Sequence, residues 1–153
     1  MGLREALFKD GRALLEQLYN QSDWSVPDNA SRPGEKCHPD RAKDIQTLFG
    51  PITVRRDYFY APATQTGRCP LDQALGLVHS FSPAVVRLAS RAAAKEGYQS
   101  ASEDLLTQAN VALEGRQIQR LVNLVAPAVA AQLEQGHPTR PEPLPILYVE
   151  ADG

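Results

Sequence analysis

Four polar side chains, Arg116, Gln117, Arg120 and Asn123, alternate with a set of apolar ones, Ile118, Leu121, Val122 and Val125. At helical spacing this is an amphipathic element that buries one face and presents hydrogen-bonding groups on the other. Arg, Gln and Asn can make paired hydrogen bonds to base edges, and the opening turns of a recognition helix are where such contacts form. Upstream, Arg87, Arg91 and Lys95 recur every fourth residue, and Arg55-Arg56 adds an adjacent pair of cations suited to phosphate. The chemistry indicated is recognition of duplex DNA. A solvated face on an ordinary helical bundle gives the same pattern.

A second candidate chemistry is weaker. Cys37, His38 and Cys69 invite a zinc reading, but a structural site needs four ligands that commonly arrive in close pairs, and only Cys37 and His38 are adjacent. Free or buried thiols, with no metal, are therefore expected. Two cysteines make no disulfide framework, which makes a reducing cytoplasm the default location. No apolar run approaches the ~18 residues of a membrane span, and the amino terminus lacks a signal-peptide core.

The elements that must position these side chains begin with three helices in residues 82–135, which have a helix-turn-helix outline. Ser82 is placed to cap the first and Pro83 to occupy its first position, where a missing N–H costs nothing; Gly97 ends it. Val85, Leu88, Ala89, Ala92 and Ala93 form its apolar stripe. Ser100-Ala101-Ser102-Glu103 reads as the capping box of the second helix, and Asn110 suits a left-handed turn before the third. Pro127 should kink or interrupt that third helix.

The remainder divides as follows. Residues 1–22 read as an amphipathic helix with Leu3, Leu7, Leu14 and Leu18 near one line, weakened at Gly11 by about 1 kcal/mol relative to Ala. Residues 23–43 read as a linker that Trp24 could pin. Residues 44–81 hold a β-hairpin, Ile45–Phe49 and Ile52–Tyr60, joined at Gly50-Pro51 by a longer or bulged loop, then a short apolar helix from Leu71 to Val78. Alternation puts Arg55 and Arg56 on opposite faces, so at most one can serve a given surface. Residues 136–145 read as a proline-rich linker and 146–153 as a buried-type strand ending in Asp152. The expected fold is mainly α with a β-hairpin.

The net charge of -2 hides an uneven distribution. Residues 32–68 carry seven basic and four acidic groups, whereas residues 1–31 carry three and five. The positive excess thus precedes the helices, modest support for phosphate contacts.

Three stretches together resemble bacterial insertion-sequence transposases of the Kra group, members of the DDE superfamily with an RNase H-like catalytic domain. They are Leu48-Phe49-Gly50-Pro51 with Arg55-Arg56-Asp57-Tyr58-Phe59-Tyr60, Gly67 through Gly76, and Gly115 through Val122. The final Tyr148 through Gly153 is similar to the strand that carries the family's first catalytic carboxylate, which would be Asp152. The resemblance implies a helix-turn-helix bundle that recognises transposon ends in double-stranded DNA, followed by an orphan first strand of a truncated RNase H-like domain. It implies Mg²⁺ for the full-length family, which activates the attacking oxygen and stabilises the leaving one. One carboxylate cannot assemble a two-metal site, so this chain is expected to need no cofactor and to be inactive alone. The relatives' Cys-Pro-x-Cys pairs are replaced here by Ala61-Pro62-Ala63, so zinc does not carry over. A homo-oligomer is compatible with this reading. A stand-alone helix-turn-helix regulator and a helical protein-interaction module are the alternatives.

Overall fold

The computed structural model describes residues 2–21, 26 and 28–134. The chain divides into two compact units, Met1–Val122 and Asn123–Gly153. Trp24, the proline-rich segment 136–145 and the expected strand 146–153 with Asp152 lie outside the described residues. Along the chain run α1 (Leu3–Tyr19), β1 (Lys36–Thr47), β2 (Gly50–Ala61), β3 (Thr66–Arg68), α2 (Pro70–Ala74), α3 (Pro83–Lys95), α4 (Tyr98–Ala109) and α5 (Gly115–Glu134). The described residues thus form a mixed α/β fold, with five helices and a three-stranded antiparallel sheet in the order β1-β2-β3.

Ile45, Ile52 and Val54 are the centre of the hairpin's buried face, paired across strands as Ile45↔Ile52 and joined by Cys69 and Leu71. The turn is tighter than Gly-Pro suggests. Thr47 pairs with Gly50, leaving Leu48 and Phe49 as a two-residue loop, while Gly50 and Pro51 already belong to β2. Gly50 takes a positive φ of 111° there, and Thr47 Oγ1 closes the turn by donating to the Gly50 carbonyl at 2.7 Å and accepting from Phe49 N–H at 3.2 Å. The bulge lies at the other end, between His38 and Arg41, where Asp40 adopts φ 54°.

β1 begins at Lys36, so residues 36–43 are strand and not linker. Its first half is polar and exposed, with no alternating apolar face to reveal it; pairing with β2 holds it extended.

β3 reaches only Phe59–Ala61 of β2, and among the described residues no strand pairs with the backbone at Thr53 and Arg55 on that side. Asn20, the residue that ends α1, supplies the partner. Its amide donates to the Thr53 carbonyl at 2.9 Å and accepts from Arg55 N–H at 2.7 Å, doing with one side chain what a third strand would do. Gly11 has a positive use as well. An added Cβ would lie 2.6 Å from the Phe49 ring, so the glycine lets Phe49 sit on α1, edge-on to Phe8.

Residues 28–35 are tied down by Arg68. Its guanidinium donates to both oxygens of Glu35 at 2.8 and 2.7 Å, to the carbonyls of Asp28 and Ala30 at 2.8 and 2.6 Å, and lies over the Phe59 ring. With Arg32 N–H also donating to it, Glu35 is held at a pKa of about 2, below its ordinary 4.5. A carboxylate depressed in the folded state contributes stability fully above pH 4.5 and loses it as pH falls toward 2. Urea titrations at pH 6 and pH 3 should therefore show a lower midpoint at pH 3, and Glu35→Gln should be weaker at pH 6 and show a smaller change between the two.

Candidate nucleic-acid interface

α3 forms as its sequence dictates. Ser82 accepts from Val85 N–H at 3.5 Å, Pro83 opens the helix, and Val85, Val86 and Ala89 are buried. That leaves Arg87, Arg91 and Lys95 exposed. Arg91 and Lys95 line a groove against α4, whose opposite wall includes Asp104 and Gln108.

α4 starts earlier than its Ser-x-x-Glu pattern indicates. Gly97 is the N-cap, without a side-chain bond, and Ser100 and Glu103 lie inside the helix. The expected capping box is not formed because the chain is already helical from Tyr98. Ser102 acts at a distance instead, its hydroxyl donating to the Leu113 carbonyl at 2.5 Å and so fastening the segment between α4 and α5. Asn110 ends α4 in the left-handed conformation, φ 55° and ψ 30°. Residues 110–114 then belong to no helix or strand and bury Val111 and Leu113. This connection is longer than the three- or four-residue turn of a compact helix-turn-helix. Gly115 allows α5 to begin close to α4, since an added Cβ would lie 3.2 Å from the Tyr98 carbonyl oxygen.

In the first turns of α5, Ile118 and Leu121 are buried while Arg116, Gln117 and Arg120 face solvent. Gln117 is partly committed. Its Oε1 accepts from Glu114 N–H at 2.8 Å, which satisfies a backbone donor at the start of the helix. Asn123 is exposed on the continuation of α5, in the second unit. Val122 and Val125 are half-buried, and the helix passes through Pro127 without ending.

The hairpin arginines separate as alternation requires, with a consequence for their role. Arg55 is exposed and ion-paired with Asp40 at 2.6 Å. Arg56 turns inward: its Nε lies 2.9 Å from Asp72 Oδ1, without hydrogen-bond alignment, while Lys43 Nζ donates to Asp72 Oδ2 at 2.9 Å. Their side chains are only 13, 20 and 19% exposed, for Arg56, Asp72 and Lys43 respectively. Arg56 is thus engaged within the fold and is not presented to a phosphate. The sequence carries no local signal for Asp72 as its partner, and none for Arg68 as the clamp of residues 28–35.

Cys37 is exposed on β1, and Cys69 is buried beside α2, its thiol donating to the Asp57 carbonyl at 3.2 Å. Burial pushes the Cys69 thiol above its ordinary pKa. Among the described residues no three His, Cys, Asp or Glu side chains converge as a metal site. They offer no ligand set for Mg²⁺, and Asp152 lies outside them. No described helix is long and apolar enough to cross a membrane.

A family model described as "Uncharacterised protein family (UPF0236)" matches residues 1–153. No curated protein matches the chain.

Removing one member of a partly buried ion network leaves the others without compensation. Asp72→Ala should therefore lower unfolding stability by roughly 2–4 kcal/mol, more than Arg55→Ala, whose ion pair is solvent-exposed. Chemical denaturation of both variants checks the order.

Proposed function

We propose, from the premise that the chain belongs to the uncharacterised family UPF0236, that it comprises the DNA-binding region of a transposase and reads insertion-sequence ends. The observation that carries this reading is the start of α5, where Arg116 and Arg120 stand exposed on a helix anchored from behind by Ile118 and Leu121. Anchoring matters because a base-reading side chain must be held in register by its own helix. Asn110, Ser102 and Gly115 fix how that helix starts. α4 and α5 then act as a helix-turn-helix with a longer connection, α5 entering the major groove.

The cations divide by role in this reading. Arg87 and Arg91 on α3, with Arg55 on the hairpin, supply phosphate contacts; Arg116 and Arg120 read bases. Gln117 contributes less, because its carbonyl oxygen already caps α5. The catalytic part of the transposase reading, including Asp152 and the family's Mg²⁺ chemistry, rests on the sequence resemblance and on no described residue. A stand-alone regulator would use the same face of α5, and sequence preference for a transposon end separates the two.

Binding to duplex DNA should weaken as salt rises, because phosphate contacts release counterions. Arg116→Ala or Arg120→Ala should cost about 1–3 kcal/mol on a cognate end and much less on random duplex. Fluorescence anisotropy with both duplexes at two salt concentrations checks this: equal losses on both sequences remove base reading, and salt-independent binding removes the phosphate contacts.

A further inference from the structure

α1 contributes no buried residue to the fold. Its inner side rests on the hairpin through Leu15 and Tyr19, whereas Leu3, Leu7, Leu14 and Leu18 are 79, 60, 67 and 43% exposed. At about 100° per residue these four leucines fall within an arc of roughly 60°, a narrow stripe of the kind that forms a helix–helix seam. Phe49, seated over Gly11 and itself exposed, borders the stripe and widens the apolar patch.

The spacing identifies the occupant. Leu3 and Leu18 are placed symmetrically about a point between Asp10 and Gly11, and so are Leu7 and Leu14. Antiparallel pairing about that point sets leucine against leucine at all four positions, and two-fold symmetry then makes each contact occur twice. We propose that the leucine stripe of α1 is the interface of a symmetric, antiparallel dimer of this chain, with Leu3 against Leu18 and Leu7 against Leu14 of the second copy. The antiparallel sense places each helix N-terminus beside the other's C-terminus, so the helix dipoles attract, while a parallel pair would set like ends together. The two Asp10 side chains flank the two-fold axis and keep the association weak.

Area sets the strength. A helix of 17 residues is about 26 Å long, and two of them packed along one stripe cover on the order of 1,000 Å², below the ~1,600 Å² of a standard stable interface. An interface of that size belongs to the weak, transient class, and a micromolar dissociation constant is the expected affinity. The proposal does not depend on the DNA-binding reading, because the stripe uses none of the residues assigned to DNA.

Sedimentation equilibrium of the full chain from about 1 to about 300 µM tests it, the range being chosen around that affinity. The expected result is a reversible monomer–dimer equilibrium that Leu7→Glu with Leu14→Glu weakens about 100-fold or more, with circular dichroism unchanged, and melting temperature unchanged at concentrations where both proteins are monomeric, because both positions are already exposed. In a Cys37→Ser background, chains carrying Leu7→Cys mixed with chains carrying Leu14→Cys should cross-link to each other faster than either does to itself. A monomer across the whole range, or a double variant that dimerises as well as the parent, overturns the proposal by removing the stripe from the contact. Preferential cross-linking of Leu7→Cys to itself overturns the antiparallel arrangement.

Discussion

The constraint on which this structure depends is that its sheet is too small to hold itself together. Among the described residues, two strands of a hairpin with a three-residue third strand have two faces to cover and long unpaired edges, and such a unit is marginal alone in water. Three side chains from outside the hairpin answer three separate deficits. Asn20 completes the backbone pairing of β2, Asp72 neutralises the cations that the inner face presents, and Arg68 covers Phe59 while gathering the preceding loop. Each is polar, and each acts where an apolar residue could not, because what is missing is a hydrogen bond or a charge.

This explains how the arginines are allotted. A positive excess in residues 32–68 looks like preparation for a polyanion, yet Arg56 and Arg68 are drawn inward and Arg55 has a carboxylate beside it. Counting charge along the sequence therefore overstates what the hairpin presents outside. The cations of α3 and of the first turns of α5 are different: the apolar stripes of their own helices commit them to solvent.

Where order along the chain is set by neighbouring residues, the sequence is readable. Ser82-Pro83 marks the start of α3 because capping and proline geometry are local, and Asn110 marks the left-handed end of α4 for the same reason. Where order comes from distant partners it is not. Residues 36–43 have nothing strand-like in their own pattern and are extended because β2 pairs with them. Ser100 and Glu103 have the form of a capping box, but α4 has already begun at Tyr98, before them. Of the candidate DNA-facing residues, the exposure of Arg116 and Arg120 follows from helical periodicity. The capture of Arg56 by Asp72 and the folding back of Gln117 depend on which groups the fold brings within reach, and periodicity carries no trace of them.

The two cysteines differ enough to make the molecule easy to instrument. Cys69 is enclosed and its thiolate is disfavoured, so maleimide-type reagents should pass it by, while Cys37 sits in the open on β1 opposite Phe59. A fluorophore or spin label added to the unaltered chain should therefore arrive at one place, on the part of the hairpin far from the Leu48-Phe49 turn. Distances measured from that single point would report on the sheet without any engineered handle.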